Sequence, residues 1–233
     1  MLHKKSEACI NCETCNNKSP IFNLLNQEEL KIMNDGRFEV TFNHGENIVK
    51  QGTSASHLIV LTDGLAKLFL EGIDKKNLIL DLILPWKLFG GPGLFTDMRY
   101  HYSVTAINES SACFIAAENV RKVIRSNPDF AETMLKHCNH NSAGNFDRLI
   151  SLTQKQMPGR LADTLIYLSN QIFRSLSFTL SITRQELGEM SNMTKESITR
   201  ILKEFEAEEI IRLEGKTIEI LKLNTLKDIS IRG

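Results

Sequence analysis

The stretch "TRQELGEMSNMTKESITRILKEFEAEEIIRLEGKTIEIL", residues 183–221, admits few folds. Thr183 followed at the third position by Glu186 is a capping box, so a helix opens there. Leu187 and Met190 give that helix an apolar side, and "SNM" breaks it. Thr194 then caps a second helix, with Ser197 three positions on. Ile198, Ile201, Leu202 and Phe205 recur at i, i+3, i+4 and i+7 and define one buried face. "IIRLEGKTIEIL" reads as two strands around Glu214-Gly215. Helix, tight turn, helix and hairpin make a winged helix-turn-helix, a unit whose second helix enters the major groove of DNA.

The exposed face at the start of that second helix carries Lys195, Glu196, Thr199 and Arg200. Arg200 offers two donors to guanine O6 and N7, and Glu196 can accept from the cytosine amino group. Thr199 can meet a thymine methyl or donate a hydrogen bond. With the helix starts at Thr183, Arg184, Thr194 and Ser197, these are the candidate DNA-contacting residues. The blander alternative is an exposed i, i+4 ion pair between Glu196 and Arg200, worth about 0.2–0.5 kcal/mol. The capped helices, short turn and wing favour base reading.

Upstream, the chain changes character three times. Residues 1–20 are polar and cysteine-rich. "IFNLLNQEELKIM" has helical spacing from Ile21 to Met33, with Asn23, Asn26 and Gln27 on the wet side. From Arg37 to Ile115, β-rich runs such as "FEVTF", "HLIVL", "LAKLFL", "LILDLIL" and "ACFIA" alternate with Gly and Asn/Asp turns. That pattern predicts an antiparallel roll or barrel. "LFGGPGLF" is too rich in glycine and proline for a regular strand and reads as a shaped loop. The period then becomes helical. "AENVRKVIRS" stops before Pro128, and a proline-free run to Gln156 predicts a helix about 42 Å long, a connector or dimer seam. "MPG" ends it, "RLADTLIYLSNQIF" is a further amphipathic helix, and "SFTLSI" a short strand.

The formal net charge is zero, so no global basic field announces nucleic acid, although only the docking face needs to be positive. "MLHKKSEAC" lacks the apolar run of a secretory signal, and no apolar stretch is long enough to span a bilayer. A cytoplasmic protein with no membrane partner is expected. Five cysteines in a reducing compartment point away from a disulfide framework. Cys9, Cys12 and Cys15, at two-residue gaps, point to metal or thiol redox chemistry, zinc included. Cys138 reads as a small packed residue, and His137 and His140 as polar helix or seam residues.

The 183–221 stretch resembles the DNA-binding domain of the CRP/FNR family of bacterial regulators. Its Glu-x-x-Ser/Thr-Arg pattern appears as Glu196, Thr199 and Arg200. The resemblance covers the whole chain and implies an α+β fold in four parts. They are a cysteine-rich arm (1–20), a cyclic-nucleotide-binding-like jelly roll (21–126), a dimerisation helix (127–158) and the winged helix-turn-helix (159–233). It implies a homodimer on a palindromic site in double-stranded DNA, with half-sites resembling TTGAT or TGTGA, and RNA polymerase as a partner if the output is activation. In cyclic-AMP-binding members a Glu and an Arg-Ser pair hold the ligand. Here Gly91 and Tyr100-His101 stand at those places, so no cyclic AMP is expected. The oxygen-sensing branch holds a [4Fe-4S] cluster with three N-terminal cysteines and one in the roll. By that likeness Cys9, Cys12, Cys15 and Cys113 are the cluster ligands, and the chain is closest in kind to that branch. Haem-binding relatives and zinc or thiol sensing remain the alternatives.

No Gly-rich phosphate loop, GxSxG or HExxH motif is present, so an enzyme is not expected. An electron carrier would place a fourth Cys and a Pro just after Cys15, where "CNNKSP" has none at that spacing.

Overall fold

The β-rich runs pair as their alternation predicts. The computed structural model describes residues 19–90 and 92–233, so Cys9, Cys12, Cys15 and Gly91 lie outside the described residues. Eight strands run between Phe38 and Ala116: β1 (Phe38–Phe42), β2 (Asn47–Val49), β3 (His57–Asp63), β4 (Ala66–Glu71), β5 (Asn77–Ile83), β6 (Leu88–Phe89), β7 (Ser103–Ala106) and β8 (Ser110–Ala116). They form two sheets, ordered β1-β8-β3-β6 and β2-β7-β4-β5. β8 pairs antiparallel with both β1 and β3, and β7 with both β2 and β4. Ile59, Leu61, Val104, Ala112 and Ile115 are fully buried between and behind these strands. "LFGGPGLF" departs from the expectation of a loop alone. Leu88 and Phe89 pair with Val60 and Ile59 of β3 before a 3-10 turn over Pro92–Phe95. A Cβ on Gly93 would fall 1.7 Å from the Arg99 carbonyl oxygen, so only glycine lets this loop close.

The single helix expected over 21–33 is two pieces, a 3-10 turn (Pro20–Leu24) and α1 (Gln27–Asn34). The reason is Asn26. Its side chain accepts from the Glu29 N–H, and the Glu29 carboxylate accepts from the Asn26 N–H, each at 2.9 Å. A residue read as wet-face decoration is the cap that starts a new helix. α2 (Ala117–Ser126) follows β8, and α3 (Pro128–Gln154) is the long helix, 27 residues and about 40 Å. "MPG" opens the next element instead of only ending α3. Pro158 lies in the first turn of α4 (Met157–Tyr167), where a missing N–H costs no helical bond.

Beyond a wide turn over Leu168–Phe173 come β9 (Ser177–Thr179), α5 (Arg184–Ser191), α6 (Lys195–Ala207), β10 (Ile211–Glu214), β11 (Thr217–Ile220) and α7 (Leu223–Arg232). β10, β11 and β9 make a three-stranded wing sheet in that order. α7 was not expected, and it packs against α4 with Leu226 fully buried. Among the described residues no helix is long and apolar enough to cross a membrane.

By contact density the chain divides in two. One unit comprises the residues up to Glu71 together with Asp81–Asn141, and the other comprises Gly72–Leu80 with Ser142–Gly233. Within the second, Arg148 of α3 donates from Nη2 to the Ile79 carbonyl and to the Met190 carbonyl, the latter at 2.5 Å. Met190 lies in the last turn of α5, so the guanidinium meets the negative end of a helix dipole. Arg148→Met keeps the apolar stem and removes both donors. It should destabilise the chain by about 1–3 kcal/mol, the cost of stranding a part-buried acceptor. A melting curve of the full chain checks it; an unchanged midpoint would mean that water takes over both carbonyls.

Candidate functional site

Local capping builds the end of the second unit where the two helices of 183–207 begin. Thr183 accepts from the Glu186 N–H at 3.1 Å, and the Glu186 carboxylate accepts from the Thr183 N–H at 2.7 Å. Thr194 accepts from the Ser197 N–H at 3.2 Å and starts α6. Thr183, Thr194 and Ser197 are thus engaged in capping. Between the helices Asn192 takes the left-handed conformation, φ 50°, and the Met193 N–H donates to the Gly188 carbonyl at 2.9 Å. Ile198, Ile201, Leu202 and Phe205 are 0–4% exposed, the single buried face their spacing predicts.

Lys195, Glu196, Thr199 and Arg200 are all exposed on the opposite face. The Thr199 hydroxyl donates back to the Lys195 carbonyl at 2.8 Å, which leaves its methyl as the outward group. Its own backbone N–H and the Thr194 hydroxyl hold the Glu196 carboxyl below its usual value. Arg200 does not pair with Glu196. Its Nη1 lies 2.6 Å from Oε1 of Glu204, one turn further along.

A surface depression of about 470 Å³ gathers the start of α5, the start of α6 and the wing tip. Arg184, Lys195 and Lys216 line it, with Thr183, Gln185 and Gly215. Burial pulls the Arg184 guanidinium below its ordinary value. Its Nη1 is buried without a hydrogen-bond partner among the described residues. Three cationic side chains and two helix N-termini around one depression favour an anion of phosphate type. Lys216 was missed in the sequence reading. Its only local signal is a basic residue in the two-residue turn after Glu214, with Gly215 at φ 60°.

In the first unit, Cys113 on β8 is buried at 5% exposure. Arg37, just after α1, donates from Nη1 to its sulfur at 3.0 Å. Across the ladder Cys113 stands opposite Glu39 of β1 and Val60 of β3. The Thr62 hydroxyl donates to Glu39 Oε1 at 2.5 Å, while Oε2 is buried with no partner among the described residues. The other three cysteines of the expected ligand set lie outside the described residues. Among the described residues no group of three or more His, Cys, Asp or Glu is placed to hold a metal ion. Cys138 is exposed on α3, contrary to the expectation of a small packed residue.

Tyr100 is 6% exposed, and its hydroxyl donates to the His57 carbonyl at 3.2 Å. The Tyr102 hydroxyl accepts from the Gly90 N–H at 2.9 Å, and burial raises the pKa of both phenols. His101 points out and pairs with Asp97 at 3.1 Å, while Arg99 is exposed and donates to the Gly52 carbonyl at 3.4 Å. The positions that would hold a cyclic phosphate carry a buried neutral phenol and an outward imidazole.

A Crp-like helix-turn-helix domain model matches residues 159–229, and a cyclic nucleotide-binding domain model matches residues 39–127. The chain is 27% identical over 179 residues to the cAMP-activated global transcriptional regulator CRP of Pasteurella multocida, covering 74% of this chain and 85% of the relative. It is 25% identical over 181 residues to the transcriptional activator protein Anr of Pseudomonas protegens, covering 76% and 74%. The solved structure of FixK2 from Bradyrhizobium japonicum superposes with a TM-score of 0.76 at 17% identity, covering 83% of this chain and 96% of that one. At that identity the likeness is one of fold.

Proposed function

The chain belongs to the CRP/FNR family of DNA-binding transcriptional regulators, and from that premise we propose that it binds a palindromic site in double-stranded DNA as a homodimer governed by a [4Fe-4S] cluster. The observation that carries the DNA half is the depression where half-buried Arg184 meets Lys195 and Lys216 between two helix starts and the wing tip. It is a place for one backbone phosphate, and phosphate contacts fix register. A phosphate there lays the exposed α6 face, with Glu196, Thr199 and Arg200, along the base edges.

The homodimer reading rests on α3. Leu135 is 63% exposed, Phe146 66%, Leu149 60% and Ile150 51%. Leu135 and Phe146 are eleven residues apart, about three helical turns, so they share a face. Between them on that face lie Asn139 and Ser142, both exposed. His137 lies off that face, and its ring nitrogen is 3.3 Å from the Asn141 side-chain amide one turn on. Two apolar ends around a polar middle make a weak seam, which a modest free-energy change can tip.

The donor set at Cys113 fits a cluster ligand. Its thiol is buried, and a cationic N–H is aimed at the sulfur of the kind that stabilises anionic iron–sulfur groups. Cys9, Cys12 and Cys15 would supply the remaining thiolates. When bound, the cluster supplies an oxygen-labile redox group, and this chain's part is to tie the N-terminal arm to β8. Cyclic AMP is not the signal in this reading, because Tyr100 and His101 offer no buried cation to its phosphate. Double-stranded DNA is the partner, RNA polymerase joins if the output is activation, and the setting is cytoplasmic.

Arg200→Ala should cost about 1–3 kcal/mol on a specific duplex and relax discrimination at one base pair. Arg184→Ala should weaken specific and random duplexes alike and lower the salt slope by about one. Fluorescence anisotropy across a salt series reads both. An equal loss on specific and random DNA in Arg200→Ala would make Arg200 a phosphate contact and defeat the base-reading assignment.

A further inference from the structure

We propose that Glu204 is a specificity-determining residue that buttresses Arg200 in the orientation from which it reads a guanine; this rests on Arg200 reading a base. Glu196, Arg200 and Glu204 lie at i, i+4 and i+8, one exposed stripe of α6. Arg200 therefore has a carboxylate one turn away on either side. The N-terminal one is the better-placed partner for helix stability, since an acid preceding a base by four positions agrees with the helix dipole. Arg200 takes the other, with Nη1 2.6 Å from Glu204 Oε1. Glu196 is instead drawn back onto the helix start by its own N–H and by Thr194.

Among the described residues the hydrogen-bond partner of the Glu204 carboxylate is Arg200 alone. Nearby Glu206 accepts from the Leu213 N–H and serves the wing. The Glu204 carboxylate bonds to Arg200, and both side chains are about half exposed, at 47% and 55%. An exposed pair in the less favourable order adds little to stability. A carboxylate on the DNA-facing stripe also repels phosphates, so it lowers affinity for any duplex. What it supplies is geometry. Arginine is long and rotamer-rich, and its fork carries five N–H groups. One of them held by Glu204 leaves the others to meet guanine O6 and N7 as a pair. The residue trades general affinity for discrimination, which is how specificity against wrong sites is built.

The test uses the full chain and a duplex selected by it from a random pool, paired with the same duplex changed at the base pair where Arg200→Ala loses discrimination. Glu204→Gln keeps the shape and removes the charge, and Glu204→Ala repeats the test without the amide. Each variant is measured on both duplexes and on random DNA. The ratio of affinities for the two selected duplexes should fall about threefold to tenfold in Glu204→Ala and less in Glu204→Gln, whose amide oxygen still accepts from Arg200, with binding to random DNA unchanged or tighter. In the Arg200→Ala background the same changes should leave that ratio where it is. A uniform gain on every duplex with the ratio unchanged would make Glu204 a screening charge and overturn the proposal, as would a ratio that rises. If Arg200→Ala itself leaves every base pair's discrimination intact, base reading by Arg200 has failed and the buttress fails with it. If Arg200→Ala removes discrimination and Glu204→Ala does not, only the buttress is wrong.

Discussion

Gly188→Val should cost the chain its DNA binding while leaving the first unit folded. A Cβ at Gly188 would lie 2.5 Å from the Met193 carbonyl oxygen and 3.6 Å from a side-chain carbon of Ile198. The first contact is to backbone, so it cannot be relieved by a rotamer. α5 must move off the turn, and that turn is closed by the bond from Met193 N–H to the Gly188 carbonyl. Overpacking of this kind costs about 3 kcal/mol at the upper end of its usual range. If that energy is taken from the presentation of α6, affinity for a specific duplex falls about 100-fold. Circular dichroism should report most of the secondary structure intact. Binding within about threefold of wild type would show that α5 and α6 can separate without harm.

How much of this was legible depended on how local each signal is. The caps at Thr183 and Thr194 and the i, i+3, i+4, i+7 face of α6 are carried by neighbouring residues, and the structure repeats them. Strands β1, β3, β4, β5 and β8 were readable for the same reason. Asn26 was misread because a cap and a wet-face residue look alike until Glu29 is seen to answer it. "MPG" was misread because one proline can mark the end of a helix or the first turn of the next. α7 was missed since Lys222 supplies no side-chain cap. The candidate sites were harder. Arg37 and Cys113 meet across 76 positions, and the Arg184 depression joins residues from Leu180 to Lys216 through three elements. No periodicity records such meetings. The partner of Arg200 was also invisible, since Glu196 and Glu204 are equally spaced from it, and only the draw of the helix start on Glu196 breaks the tie.

Cys113→Ser should abolish the cluster and leave a mainly monomeric protein. The exchange is close to isosteric, and the serine oxygen can still accept from Arg37, so the roll should hold its shape. What the proposed cluster would lose is its fourth thiolate ligand. The α3 seam, apolar at Leu135 and Phe146 and polar between, then lacks the bias that favours the dimer. Losing the second half-site contact should weaken binding to a two-fold site on the order of 100-fold. Cys138→Ser, on the exposed side of α3, should change neither iron content nor assembly. Anaerobic iron and sulfide assays with sedimentation velocity read both variants. A Cys113→Ser protein that keeps its iron and its dimer, or a Cys138→Ser protein that loses them, would break the switch described here.

The most direct measurement is selection from a pool of random duplexes by the iron-loaded chain without oxygen. Two copies of α6 related by a two-fold axis should enrich an inverted repeat with half-site centres about one helical turn apart, roughly 34–36 Å. A pool that stays random, or one enriched in a single unrepeated half-site, would contradict a dimer that reads palindromic DNA.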